Sequence, residues 1–392
     1  MRAPIQVENL QAYFESLPDP RKPRGKRHEL IDILVISLLA MICGADNAEE
    51  IQDFGDSNEA WLRGFLNLPH GIPTQDTYLR VLSALEPGAF QERFRKWVAS
   101  LMRPAAHGHI AVDGKTLRGS YDKDSGTKAI HMVSAWLSGA GLVLGQVKTN
   151  EKSNEITAIP ELLSLLDLND TVVTIDAMGC QRAIARQIHE QGGFYVLAVK
   201  ENQPTLYEDI VGFFEDADRQ SRALDEVPAP VVDEDSNTDA GHGRIEQRTC
   251  RVSEELSWVQ GAGDWEGLTA VARIESQREQ LSSGKSSSEF RYYILSVPDC
   301  SAERLNSIIR NHWGIENSLH WVLDVTFAED SSRVRIGHAA ENLSTIRKVA
   351  LNLLKARPQE HKKKKVSIRR KRKRCAWDHD YLLRTLSFIA AS

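Results

Sequence analysis

The feature that most constrains this chain is a change in apolar period near Pro104. From about Val7 to Leu101 apolar residues recur at helical spacing, as in Val35, Leu38, Leu39 and Ile42 or Leu79, Val81, Leu82 and Leu85, with breaks at Pro18 to Gly25 and Pro69 to Pro73. Beyond Pro104 come short β-rich runs, Ile110 to Val112, Ile130 to Leu137, Leu142 to Val147, Val172 to Ile175 and Tyr195 to Val199, the later ones alternating with helical segments at Ile156 to Leu166 and Gln181 to Gln191. This order predicts an α/β protein, a mixed sheet flanked by helices behind an all-helical N-terminal domain. At 392 residues, 41% of them apolar, the chain has material for two or three domains with cores of their own.

Further along, nine acids against two arginines between Glu215 and Asp239, interrupted by prolines, predict an exposed loop. Strand-like pieces at Gln247 to Val252, Leu268 to Ile274 and Tyr292 to Val297 then predict a β-rich insertion. Two helical patterns follow, Ala302 to about Phe327 and Gly337 to Lys355, then a basic linker and a short helix from His379 to Phe388. The expected division is 1–103 helical, 104–203 the first part of the sheet domain, 204–300 the insertion, 301–356 its closing helices and 357–392 a basic tail.

Charge is unevenly spread. The net charge is −5, yet residues 362–374 carry ten Lys or Arg and no acid, leaving −15 for the rest. A second basic cluster is Arg21, Lys22, Arg24, Lys26 and Arg27. Such runs are either solvated tails or contacts for a polyanion. Five cysteines without a C-x-x-C spacing fit a reducing compartment, the cytoplasm. The most apolar stretch, Leu30 to Ala45, is short and contains Asp32, so a buried helix is expected there and no membrane span. Gly284, Lys285 and Ser286 resemble the end of a P-loop but lack its leading glycine. There is no G-x-S-x-G, no G-x-G-x-x-G after a strand, and His107 and His109 lack further zinc-type ligands.

The carboxylates are more informative. Asp113 ends the run Ile110 to Val112 and precedes Gly114, which by itself also suits a hairpin turn. Asp176 ends Val172 to Ile175 just before a helix near Gly179, where Asp also serves as a cap. Two strand-terminal aspartates in one α/β domain suit a hard divalent cation, because open sheets build their sites beyond strand ends. At about 100° per residue, Leu305, Ile309 and Leu323 lie within roughly 20° of Glu316. That places Glu316 in an apolar stripe, where an uncompensated carboxylate costs several kcal/mol. It is therefore expected to be buried against a cation, or to pair with His312 or His320.

The strings AVDGKTLRGS (111–120), VVTIDAMGCQ (172–181), GGFYVLAVKENQ (192–203), HGRIEQR (242–248) and RNHWGIENSLHWVLDVTFAED (310–330) resemble the H-repeat-associated class of bacterial insertion-sequence transposases, DDE enzymes with an RNase H-like catalytic fold. The resemblance runs from GDSNEAWLRGFL (55–66) and IPTQDTYLRVLSAL (72–85) to KRKRCAWDHDYLLRTL (371–386).

It implies a catalytic triad at Asp113, Asp176 and Glu316, holding two Mg²⁺ ions, with Mn²⁺ as a substitute, for cleavage and transfer of DNA strands. Where the wider group has Tyr and Arg before the third acid and Lys after it, this chain has Ile309, His312 and Leu323. His312 is then expected to take over a phosphate contact, and Asp324 and Glu329 are alternatives for the third acid. Lys115, Arg118, Lys200, Gln203, Arg244 and Arg310 are further phosphate contacts. The helix Thr74 to Leu85, with Gln75, Thr77, Tyr78 and Arg80, is the expected reader of sequence, and the basic tail adds salt-dependent affinity. The partners implied are double-stranded DNA, as terminal inverted repeats and as target, and a second copy during reaction, at the nucleoid. A nuclease of the same fold, or a DNA binder that no longer cleaves, are the competing readings.

Overall fold

The computed structural model describes residues 12–24, 26–101, 108–123, 126, 128–149, 155–222, 231–241, 243–357 and 366–386. His107 and Lys362 to Lys365 lie outside them. In chain order the N-terminal elements are α1 (Leu30–Cys43), α2 (Ala48–Leu62), α3 (Gln75–Ala84), α4 (Pro87–Leu101), β1 (His109–Leu117), β2 (Ile130–Leu137) and β3 (Leu142–Lys148). Then come α5 (Glu155–Leu163), β4 (Val172–Ile175), α6 (Arg182–Glu190), β5 (Phe194–Val199), α7 (Pro204–Arg222), β6 (Asp233–Gly241), β7 (Arg244–Ser253), β8 (Ala270–Gln280) and β9 (Lys285–Leu295). The last are α8 (Ala302–His312), α9 (Trp321–Phe327), α10 (Ala339–Ala356), α11 (Ile368–Trp377) and α12 (His379–Leu386). They form a mixed α/β protein of two compact units: Met1–Ala105, Gly114–Glu151 and Glu316–Ser392 in the first, Ala106–Asp113 and Lys152–Ile315 in the second.

The first unit is built on two buried helices. α1 is apolar all round and covered along nearly its whole length, as its composition predicts, and Gly44 ends it with φ 128°. α2 starts with a variant of the capping box: the N-cap Asn47 Oδ1 accepts from Glu50 N at 2.9 Å, and Glu50 Oε2 accepts from the N–H of Asp46, one residue before the cap, at 2.7 Å. α10 is buried from Ala339 to Leu354 and covers the antiparallel pair β2–β3. Asn352 of α10 binds both backbone groups of Val143, each at 2.9 Å. No single helix among the described residues is long and apolar enough to cross a membrane.

In its described part, residues 366–374, the basic run is mostly helix rather than the linker expected. Ser367 caps α11, and two of its cations are buried. Lys371 Nζ donates to Leu354 O at 2.6 Å and to Arg357 O at 3.3 Å, carbonyls that the end of α10 leaves unpaired. Arg372 donates to Met41 O at 2.9 Å and to Thr326 O, pairs with Asp46 at 3.3 Å, and lies 4.3 Å over the Phe327 ring. Arg369, Arg370 and Lys373, on the other side of α11, remain exposed. In the second basic cluster, Arg21 and Lys26 share Asp19, at 2.8 and 2.9 Å.

The second unit holds the strand order β1-β4-β5-β9-β8-β7-β6, parallel at β1–β4–β5 and antiparallel from β5–β9 onward. α8 covers one face over Val172, Val196, Cys250 and Ile274, while α6 packs on β5. The acids read as a loop are structural partners. Asp218 lies on α7 and binds Arg273 at 2.8 and 2.9 Å, and Asp233, Asp235 and Asp239 lie along β6. There Asp233 accepts from Ala302 N at 2.6 Å, Asp235 from Asn306 at 2.8 Å, and Asp239 pairs with Arg310 at 2.5 Å. Residues an even number apart on one strand, steps of two and four, thus meet residues four apart on a helix.

Two stability predictions follow from these buried charges. Arg372→Leu strands the Met41 and Thr326 carbonyls and should cost about 3 kcal/mol or more in urea denaturation. Arg369→Ala or Lys373→Ala on the exposed side should stay within about 0.5 kcal/mol of wild type. Asp32 in α1 is 3% exposed, and burial followed by the Glu29 charge pushes its carboxyl up from 3.8 to about 6. A raised carboxyl holds its proton more tightly when folded, so its penalty is absent below pH 4 and grows as pH rises through 6. Asp32→Asn should therefore gain about 1–3 kcal/mol at pH 8 and nothing at pH 3.5, by denaturation at both values.

Candidate active site

β1 and β4 run parallel with Val112 opposite Ile175, so the next residues on each strand, Asp113 and Asp176, leave the register side by side. Asp176 caps the turn Ala177–Gly179, its Oδ1 accepting from Met178 N at 3.1 Å, as expected of an Asp at a helix start. Gly179 is required there, because a Cβ would meet Ile175 Cγ2 at 2.2 Å. Asn202 and Gln203 brace the same turn, donating to Ala177 O and Cys180 O at 2.8 Å each. Gln203 is thus engaged with protein, while Lys200 beside it is exposed.

Burial and then the charge of Glu155 push the Asp176 carboxyl up, against the Gly179 and Met178 amides and Lys200, which pull it down. Glu155 opens α5, and no motif in the sequence distinguishes it from an ordinary first-turn acid. A carboxylate whose charge is raised in energy by burial and by a neighbouring acid, as Asp176 is, is a hard oxygen donor that a divalent cation would stabilise. No group of three or more His, Cys, Asp or Glu among the described residues is arranged to hold a metal ion. The pair nevertheless fits Mg²⁺, which is commonly held by one or two carboxylates together with water and substrate phosphates.

Glu316 lies in the first unit and is exposed, contrary to the stripe argument. Only one unbroken helix from Ala302 to Phe327 would set Glu316 in the stripe. α8 instead stops at Trp313, and the chain passes through a π-turn at Glu316–His320 before α9. The wider turn changes the phase, so Ile315, Leu319 and Leu323 take the core and Glu316 faces out. Lys355 stabilises the turn, donating to Ser318 O at 2.7 Å.

Several expected phosphate contacts are committed to other partners. Lys115 Nζ lies 2.6 Å from Asp324, 3.1 Å from Glu329 and 2.9 Å from Asp330, so Asp324 and Glu329 serve that lysine. Glu329 is buried; burial would raise its carboxyl, yet Lys348, Lys115 and Arg347 hold it below the usual range. His312 Nδ1 is 2.8 Å from Thr174 Oγ1, and burial lowers its imidazole to about 4, so at neutral pH it carries no charge for a phosphate. Tyr78 is fully buried in the α3 interface and cannot present a reading edge. Gln75 and Arg80 are exposed on α3, and Thr77 is half-buried within 3.4 Å of Arg80. Arg118 is 83% exposed, with its Nε 3.5 Å from Asp330. Arg244 is exposed at the start of β7, and Arg310 is half-exposed on Asp239.

Two families match the sequence. One described as DDE_Tnp_1-associated matches residues 11–98, and the transposase DDE domain matches residues 104–353. The chain is 40% identical over 388 residues to the H repeat-associated putative transposase YhhI of Escherichia coli K12, covering 98% of this chain and 99% of that one. It is 42% identical over 386 residues to the putative transposase YncI of Escherichia coli O157:H7, covering 98% and 95%. Among solved structures, the piggyBac transposase synaptic complex with hairpin DNA aligns over 98% of this chain and 77% of that one at 12% identity. Its TM-score of 0.43 is too loose a likeness to carry inference. On the match across most of its length, the chain belongs to the transposase DDE domain family, with H repeat-associated putative transposases as its relatives.

Proposed function

We propose that this chain is the DNA transposase of an insertion sequence, cutting DNA at the element's terminal repeats and joining the freed strands to target DNA. The observation that carries the proposal is the placement of Asp113 and Asp176 at neighbouring positions beyond Val112 and Ile175 on two parallel strands. In an RNase H-like catalytic core these two aspartates would hold divalent cations, Mg²⁺ or Mn²⁺, two per site, and Glu316 would be the third ligand. Bound cations supply charge neutralisation at the scissile phosphate and lower the pKa of the attacking hydroxyl. The protein's part is to fix the carboxylates before DNA arrives: Asp176 by its turn, Asp113 by the strand that continues past it.

Exposed cations supply the sequence-independent grip. Lys200, two residues before the brace on the Asp176 turn, and Arg118, Arg244 and Arg310 are placed to meet phosphates, Arg310 by exchanging Asp239 for DNA. Residues 1–103 are the proposed reader of the repeats, through Gln75, Thr77 and Arg80, because phosphate contacts alone carry no sequence information. Two copies act together to pair two element ends, at the bacterial nucleoid in the cytoplasm.

The test is cleavage and strand joining on labelled DNA bearing the element's own ends. Asp113→Asn, equal in size, should keep specific DNA binding and lower Mg²⁺- or Mn²⁺-dependent cleavage by about three orders of magnitude or more. The exposed acid Glu190→Gln should change nothing. Wild-type protein that binds the ends without cutting them, or an Asp113→Asn protein that cuts normally, would overturn the proposal. In salt titrations of binding, neutralising Arg369, Arg370 and Lys373 should reduce the slope of log affinity by about 0.9 for each phosphate contact removed.

A further inference from the structure

We propose that Thr174, with the two histidines it joins, His109 and His312, is a positioning residue for the acidic pair, locking β1, β4 and α8 together behind Asp113 and Asp176. The proposal rests on the reading of those aspartates as cation ligands. Thr174 Oγ1 lies 2.8 Å from His109 Nε2 and 2.8 Å from His312 Nδ1, so a single hydroxyl on β4 bridges two imidazoles, one on β1 and one on α8.

The bridge lies on the face that matters. In β1, His109, Ala111 and Asp113 alternate to one side, and in β4, Val172, Thr174 and Asp176 do the same. The register pairs His109 with Val172 and Ala111 with Thr174, and partners in a parallel pair project to the same side of the sheet. Val172 packs in the core beneath α8, which identifies that side as the one α8 covers. The bridge therefore occupies the same face as the two carboxylates, two residues behind Asp176 and four behind Asp113. His312 is the last residue of α8, and Glu316 follows it four residues along the chain.

The chemistry is selective. A hydroxyl has one hydrogen, so it donates to one ring and accepts from the other, and the two imidazoles must offer one lone pair and one N–H. The ring that accepts the hydroxyl hydrogen must therefore be neutral, and the bridge is lost if both rings are protonated at the atoms facing Thr174. Burial lowers His109 and His312 alike to about 4, the neighbouring ring adding to the effect on His109 and Arg291 to that on His312, so the bridge is intact at neutral pH. Apolar side chains would fill this space without loss of solvation, whereas the bridge leaves His109 Nδ1 buried with no hydrogen-bond partner among the described residues. What the polar bridge adds over apolar packing is direction: it fixes the separation of two strands and a helix at the level from which both ligands project, the task of outer-shell hydrogen bonds at metal sites.

The experiment compares wild type, Thr174→Val, Thr174→Ser and His312→Leu in the full chain. Mn²⁺ affinity is measured by electron paramagnetic resonance without DNA, and single-turnover cleavage of element-end DNA is measured across Mg²⁺ concentrations. Thr174→Val keeps the shape and removes the bridge; it should weaken Mn²⁺ binding about tenfold or more and raise the Mg²⁺ requirement in step. Thr174→Ser restores the hydroxyl and should return both to within about threefold of wild type. Should Thr174→Val fail to fold, His312→Leu, which leaves the strand pair untouched, makes the same comparison with the same expected loss. Unchanged Mn²⁺ affinity in a folded bridge variant, or a Thr174→Ser protein as impaired as Thr174→Val, overturns the proposal. Wild type that binds Mn²⁺ but never cuts overturns the transposase reading instead, and the Mn²⁺ arm still decides the bridge.

Discussion

The acidic pair depends on one register, the parallel hydrogen bonding that sets Val112 of β1 opposite Ile175 of β4. A slip of one residue would turn one aspartate to the other face of the sheet, so the site exists only while that pairing holds. β4 is four residues long and contributes few hydrogen bonds of its own. Its hold comes from position: every residue is buried, β1 and β5 pair along both edges, and α8 lies over one face. A short strand fixed on all sides is a firmer base for a ligand than a long exposed one.

A second theme is the use of long cations and acids inside the protein. Arg372 and Lys371 reach carbonyls at helix ends, where four acceptors per helix lack partners, and so do the work of caps over long sequence separations. Lys348 donates to Ser344 and Gln146, with burial lowering its ammonium to about 8 and Glu329 opposing that fall. Along β6, three aspartates hold α8 through a backbone amide, an amide side chain and a guanidinium. Lys348, Lys371 and Arg372 would be costly to bury alone and each is buried with its partners, whereas the β6 aspartates hold α8 from the surface.

These pairings explain where the sequence is legible. Strands at Ile130–Leu137 and Val172–Ile175 match their apolar runs because burial on both faces writes itself into composition, and the Asp176 cap follows from local backbone chemistry. β1 runs past Asp113 to Leu117 although Asp-Gly is a turn signal, since pairing partners across the sheet outweigh the local preference. Glu316 escapes the apolar stripe because a uniform 100° step carries no information about the break at Trp313. Tyr78 looks polar by its hydroxyl, yet its ring is what the helix interface uses. The basic run of residues 369–374 divides into buried and exposed halves by helical phase, and only the position of distant carbonyls decides which half is which. Partners that meet through space leave no periodic trace in a single chain.

Arg372 also sets an order of events. The Met41 carbonyl that it satisfies lies 331 residues earlier, at the end of the first long helix. At a synthesis rate of roughly 5–20 residues per second, that helix waits on the order of twenty seconds to a minute for its partner to be made. During this interval α1 has its apolar surface but not its closing cation, α10 or α11. A ribosome-bound chain is therefore open to chaperones and proteases at α1 until Arg372 has been made.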